Sequence, residues 1–334
     1  MIKRITVILF FVFLSVFIAE DAQGETAGSE LNELNITDIS NVRDPEILWR
    51  YFLFSSDTDR KTEIIIALGS MGRGNRTIID NINNYLMGMN LLFRTGSSVH
   101  YTIVSACISA IMELGDSTSY PALLSVLYAG YPEVIASEAY GALEEISGNL
   151  FQFLLNVINN NSPEEKFVAF RAGINSEQLT VSERGRLAER ALEQSLADTE
   201  DNIYFSSLRY AAVAALTSLR WTRANALAIR HYYRVQSDFL QDNVSKQFFI
   251  EAITCLGAVG NSDAALVLGL QLGLINARTE STGSFDPDIT MAIVRALGNI
   301  GFNAAFDHLL SVSSLPYPED IVAAAGEAIA RLRW

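Results

Sequence analysis

The chain has 334 residues and a formal net charge of −14, with 49% hydrophobic and 19% charged residues. That balance excludes wholesale disorder, and so negative a surface repels phosphate backbones and anionic headgroups, which sets aside nucleic-acid and membrane-surface binding. Cys107 and Cys255, the two cysteines, each sit in an apolar helical pattern several repeats apart, so they read as small buried residues rather than a disulfide.

Residues 1–24 have the layout of a secretory signal peptide. Lys3 and Arg4 form a basic start, Ile5 to Ile18 is an apolar run of 14 residues, and Ala22-Gln23-Gly24 supplies small residues before a cleavage point. A membrane-spanning helix needs roughly 20 apolar residues, and Glu20 and Asp21 end this run early. Export, no stable membrane insertion after cleavage, and a periplasmic or envelope location are therefore expected. Residues 25–43 are polar without sustained period and read as a flexible lead-in to a repeat domain over residues 44–334.

Within that domain, Asp44-Pro45-Glu46 has the order of a cap, a first-turn proline and a first-turn acid. Asp59 is a candidate cap for the next helix, which ends in Ala67-Leu68-Gly69-Ser70-Met71-Gly72. That hexapeptide returns as Cys255-Leu256-Gly257-Ala258-Val259-Gly260 and Ala296-Leu297-Gly298-Asn299-Ile300-Gly301. Looser copies begin at Ala110 (ending at Gly115), Ala142, Ala215 and Ala328, with a degraded one over Ala169 to Ile174. The large second residue stands at Leu68, Ile111, Leu143, Leu216, Leu256, Leu297 and Ile329, with gaps of 43, 32, 73, 40, 41 and 32. The longest gap holds two periods. Around the best-preserved copy, Ile289, Ala292, Ile293, Ala296, Leu297 and Ile300 form one apolar helical face. Gly301 is placed to end it, and Asn303 to cap a second helix with Ala305, Phe306, Leu309 and Leu310 inward. Ala67, Ala142 and Ala296 are expected to permit close helix approach, while Leu68, Leu143, Leu256 and Leu297 fill the layer between repeats. Glu177 to Thr199 contains a longer polar helix, and Asn276 to Ser284 reads as a long Gly/Ser/Thr-rich loop.

Six of the seven prolines open helical patterns and period-two alternation is absent, so the fold class is all-α. Helix pairs of 30 to 45 residues carrying A-L-G-x-Φ-G (Φ apolar) resemble HEAT repeats, most closely the bacterial HEAT-like repeats also found in phycobilisome lyases. The resemblance covers nearly all of residues 44–334. It implies a right-handed, armadillo-like α-solenoid of about eight helix pairs, used by scaffolds, adaptors and a few enzymes.

Motifs that carry chemistry are missing. His100, His231 and His308 are not followed by glutamate, so the metal-binding His-Glu pairs of HEAT-type hydroxylases are absent, as are H-E-x-x-H, C-x-x-C, P-loop and G-x-S-x-G patterns. No catalytic residue, metal site or cofactor is assigned. One stretch departs from the acidic background. From Asn202 to Ser237 there is no acid, yet Arg209, Arg220, Arg223, Arg230 and Arg234 occur there. With Leu227, Ala228, His231 and Val235 facing the core, Arg223, Arg230, Tyr233 and Arg234 project outward, and Arg220 closes the preceding helix. The resemblance puts the second helix of each pair on the concave surface, which makes these five residues a candidate groove for a protein or peptide. The alternative is a charge ladder to acids of the preceding repeat, including Glu183, Glu189, Glu193 and Glu200. A non-catalytic exported scaffold is one functional expectation. A lyase-like enzyme or chaperone for a prosthetic group and a passive envelope spacer are the others.

Overall fold

The computed structural model describes residue 39, residues 42–197 and residues 202–333. The expected signal peptide, nearly all of the lead-in, Glu200 and Trp334 lie outside the described residues.

Among the described residues there are sixteen α-helices and no strand. In chain order they form consecutive couples: α1 (Pro45–Phe54) with α2 (Thr58–Met71), and α3 (Arg76–Arg94) with α4 (Tyr101–Leu114). Next come α5 (Tyr120–Ala129) with α6 (Glu133–Glu145), and α7 (Leu150–Asn160) with α8 (Pro163–Asn175). Then follow α9 (Val181–Leu196) with α10 (Ile203–Leu219), and α11 (Asn225–Leu240) with α12 (Lys246–Val259). The last are α13 (Ser262–Thr282) with α14 (Pro287–Ile300), and α15 (Phe306–Val312) with α16 (Glu319–Ala330). Even-numbered helices also pack on one another, as do odd-numbered ones, giving two rows. Both rows thin out between the couples α5–α6 and α7–α8, where α5 reaches across to α8 instead.

This coupling differs in phase from the sequence reading, which joined each A-L-G helix to the one after it. The turns after the A-L-G helices redirect the chain. After α14, Gly301 takes φ 71 and a 3-10 turn over Asn303–Ala305 follows before α15. The helices on either side of such turns therefore diverge, and each A-L-G helix packs along the helix before it.

Helix starts follow local chemistry. The Asp44 carboxylate accepts the Glu46 amide at 2.9 Å, with Pro45 at the first helical position. At α2 the cap is Asp57, which accepts from Asp59 and Arg60, so Asp59 is a first-turn acid and not the cap expected of it. Ser162–Glu165 and Thr180–Glu183 form capping boxes at α8 and α9. Asn303 makes no capping bond, because the 3-10 turn it opens intervenes before α15, and Leu310 of that helix faces outward with its half-buried neighbour Phe306.

The repeat motif acts as a packing seam. Leu68, Ile111, Leu143, Leu216, Leu256 and Leu297 are all buried. The closest helix approach is made by the glycine of one motif against the alanine of the next. A Cβ on Gly69 would meet the Ala110 Cα at 2.8 Å, one on Gly257 the Ala296 Cα at 2.8 Å, and one on Gly298 the Ala328 Cα at 3.0 Å. Ala142 is buried as expected, while Ala67 at the first copy is only half-buried. Gly115 and Gly301 close their helices in the left-handed region. Gly72 and Gly260 have negative φ (−87° and −71°), so space and not backbone freedom selects them: a Cβ would come within 2.7 and 2.3 Å of the carbonyl oxygens of Leu68 and Leu256.

The stretch Asn276 to Ser284 is not a loop. Helix α13 continues through Thr282 and ends at Gly283 with φ 68. Its polar residues are met by the next couple: Asn276 donates to the His308 carbonyl at 2.9 Å and accepts from the Tyr317 hydroxyl at 2.8 Å, while the hydroxyls of Thr279 and Tyr317 bond at 3.0 Å.

Candidate partner-binding surface

Helix α11 begins beyond a 3-10 turn over Thr222–Ala224 and buries Ala228, His231, Tyr232 and Val235. Leu227, expected inward, is half-buried. Arg223, Arg230 and Tyr233 are exposed and Arg234 is half-buried; Arg230, Tyr233 and Arg234 lie three and four positions apart on α11, whereas Arg223 belongs to the 3-10 turn before it. Arg220 stands apart from them. It occupies the C-cap of α10 at φ 49, the position that Gly115 and Gly301 hold in other copies. Arg209 is buried in α10 with its guanidinium 5.3 Å from the Tyr210 ring.

The charge ladder is real but short. Glu189 of α9 accepts from the Trp221 indole N–H at 2.7 Å and lies 3.7 Å from the Arg223 guanidinium. The Trp221 ring itself rests on Gly185, where a Cβ would meet it at 2.5 Å. Glu183 is committed to its capping box and Glu193 pairs with Arg190 in its own helix. Arg223 is thus tied to the preceding couple, Arg234 is also engaged, and Arg230 projects from the surface. Because α11 opens its couple with α12, its expected place on the concave side as a second helix loses its basis.

The neighbouring helix carries a feature that the sequence reading passed over. On α13, Ala264, Leu268 and Leu272 are buried, while Leu266, Leu270 and Leu274 on the opposite side are 52%, 56% and 69% exposed. Tyr233 and Leu240 of α11 add two more exposed apolar side chains beside them, Leu240 at 76%. A hydrogen bond of 2.9 Å from Gln236 to Gln271 joins the two helices at this point. On the other flank, Leu270, Leu274, Ala277, His308, Ser311 and Leu315 line an open cleft of about 670 Å³ between α13 and α15. The His308 ring forms one wall by filling the space a Gly273 side chain would take, within 2.8 Å of where its Cβ would be. The signal was present: from Ala264 to Ala277 the sequence AALVLGLQLGLINA contains no charged residue, so this part of the helix carries apolar residues on opposite sides. Monomeric proteins seldom expose contiguous apolar faces of this kind without a use for them.

Among the described residues, no group of three His, Cys, Asp or Glu side chains is arranged to hold a metal ion, and no helix is long and apolar enough to cross a membrane. Cys107 and Cys255 are free and buried, and burial pushes their thiols up to about 12 and about 11, respectively. Burial, with Arg209 and Arg234 adding to it, holds the His231 imidazole down at about 3, neutral at physiological pH. No protein-family profile matches the chain, and no curated protein matches it.

Proposed function

We propose that the chain is an exported, non-catalytic HEAT-like scaffold that binds another protein on the face shared by α11 and α13. The right-handed solenoid reading is supported by eight consecutive helix couples stacked in two rows and by the recurrent glycine-on-alanine seam. The exposed row Leu266, Leu270 and Leu274 beside Tyr233 and Leu240 carries the binding reading. Arginine and tyrosine next to exposed leucines have the composition of a recognition hot spot. The functional centre thereby moves from the arginines alone to the leucines beside them, with Arg230 at the edge. A passive spacer has no use for such a face, and a catalytic reading has no motif in the sequence to rest on.

Affinity capture from an envelope extract, using the full chain and a Leu270→Glu, Leu274→Glu variant, tests this. A stoichiometric protein held by the wild type and lost by the variant, with equal thermal melts, is the expected result. Failure to capture any protein, or capture indifferent to the two substitutions, refutes it.

A further inference from the structure

The array of helix couples has one joint where its usual seam is missing. Between the couples α5–α6 and α7–α8 neither row packs closely, and α5 rests on α8 instead. The repeat motif gives the reason on the even row. Glu144 stands where Gly69, Gly257 and Gly298 stand in their copies, so the glycine-on-alanine approach that joins α2 to α4 and α12 to α14 has no counterpart between α6 and α8. Two edges hold the joint. At the first, the chain itself crosses at Asn149, which caps α7. Ser147 and Gly148, just before it, stay with the preceding couples: the Ser147 hydroxyl donates to the Gly115 carbonyl at 2.9 Å, and a Cβ on Gly148 would meet Ser117 at 2.5 Å. Beside this crossing the Tyr120 and Phe153 rings stack at 5.2 Å, and the Glu144 carboxylate accepts the Gln178 amide at 3.0 Å. The second edge lies at the other end of α8, roughly 16 Å away. There Arg94 reaches Glu164 at 2.7 Å. Among the described residues, no hydrogen bond or ion pair crosses the joint besides those of Glu144 with Gln178 and of Arg94 with Glu164.

We propose that residues 45–148 and 150–333 are two stiff segments hinged at Asn149, and that the Arg94–Glu164 pair is the latch that keeps the hinge shut. The latch is the weaker edge. It is a single ion pair whose side chains are 35% and 29% exposed, so salt screens it. The Asn149 edge is held by the covalent chain and by stacked rings, which salt does not loosen. With the latch undone, α8 slides along α5, the small shear that packed helices permit, and the array opens at the Arg94 rim. The helices with glycine seams, α2 with α4 and α12 with α14 and α16, keep their packing on either side. The hinge changes the curvature of the array, and it stands whether or not a partner binds on α11 and α13.

Spin-label distances in the full chain, read by pulsed electron–electron double resonance, test this. Ser97→Cys with Gln241→Cys places one label on each segment, both at exposed sites. Asn161→Cys with Gln241→Cys keeps both labels on the second segment. Cys107 and Cys255 are buried and take no label. Raising salt to about 1 M, where the screening length is about 3 Å, should lengthen the Ser97–Gln241 distance and leave Asn161–Gln241 unchanged. The expected shift is at least the rise of one helix turn, about 5 Å. Arg94→Glu, which sets like charges at the latch, should give the same lengthening at low salt, with helix content unchanged by circular dichroism. The salt response of the otherwise wild-type chain decides alone if Arg94→Glu melts. A Ser97–Gln241 distance indifferent to salt and to Arg94→Glu overturns the proposal. So does equal lengthening of both pairs, which would mean that the whole array loosens, or a loss of helix content in salt that accompanies the lengthening.

Discussion

The guanidinium of Arg94, in the last turn of α3, lies 2.7 Å from the carboxylate of Glu164 in the first turn of α8, although 70 positions separate them. The contact spans the whole α5–α6 couple and closes over the place where both helical rows thin out. Arg94 also stacks on the Tyr128 ring at 4.9 Å, and the Tyr204 hydroxyl donates to the other Glu164 oxygen at 3.4 Å. Four consecutive couples are thus drawn to one rim. The helix dipole adds to the site, since Glu164 sits at a helix start and Arg94 at a helix end. Both side chains keep about a third of their surface in water, at 35% and 29%, so screening limits the pair. Arg94→Ala and Glu164→Gln should each lower stability by about 0.5–1 kcal/mol, with a coupling of similar size in the double variant. Urea midpoints of the four proteins measure this, and simple additivity would show that the contact holds nothing together.

The seam between α12 and α14 should tolerate almost no added volume. Gly257 already places its backbone where the Ala296 Cα is 2.8 Å from a built Cβ, so neither helix can accept a larger group without moving apart. Ala296→Leu is expected to cost on the order of 1–3 kcal/mol, and Gly257→Ala a comparable amount despite alanine's better helix propensity. Thermal melts decide it. An unchanged melting temperature in Gly257→Ala would mean that the rows have slack at this joint.

Much of the fold was legible because its determinants are local. Prolines and short polar caps mark helix starts, as at Asp44-Pro45 and Ser162-Pro163, and the A-L-G motif marks the buried helices. The phase of coupling was not legible, because it depends on how sharply Gly301 and the following 3-10 turn redirect the chain. Nor was the continuation of α13, whose polar residues Asn276 and Thr279 find partners in residues 308 and 317, 32 to 41 positions away. At the candidate site, the outward side of Arg230 and Tyr233 followed from helical spacing. The leucine ridge was missed because the uncharged run from Ala264 to Ala277 holds neither the repeat motif nor a charge anomaly and so went unread, although such a run predicts an apolar face on both sides of its helix.

Arg220 carries a backbone cost that its counterparts avoid. It holds φ 49 at the end of α10, where Gly115 and Gly301 hold φ 68 and 71 in their copies. A non-glycine residue in this region is disfavoured by roughly 1–2 kcal/mol. Arg220→Gly should therefore stabilise the chain by about 0.5–1 kcal/mol, part of the relief being offset by the greater freedom of glycine in the unfolded chain. Differential scanning calorimetry of the two proteins measures the gain. A loss of stability would mean that the Arg220 side chain makes a contribution larger than the strain of its backbone.

His231 makes the chain acid-sensitive at a defined place. The ring is 1% exposed, with the Tyr210 ring packed edge-on at 5.9 Å, Arg209 and Arg234 nearby, and Phe248 of α12 against Tyr210 at 4.3 Å. Every charged group acting on it is therefore positive, and its folded pKa of about 3 lies below the ordinary value of 6.5. A depressed histidine pKa means that the unfolded chain binds the proton more readily. The stability this supplies is complete above pH 6.5 and is lost as pH falls from there toward 3. Across that window the slope from this residue approaches about 1.4 kcal/mol per pH unit. His231→Phe keeps a ring against Tyr210 and removes the titration. Urea midpoints at a series of pH values from 7 to 4 should fall more steeply in the wild type than in the variant, the gap opening below about pH 6. Parallel curves would show that His231 gains a proton without cost, and so that solvent or a carboxylate reaches it in the folded chain.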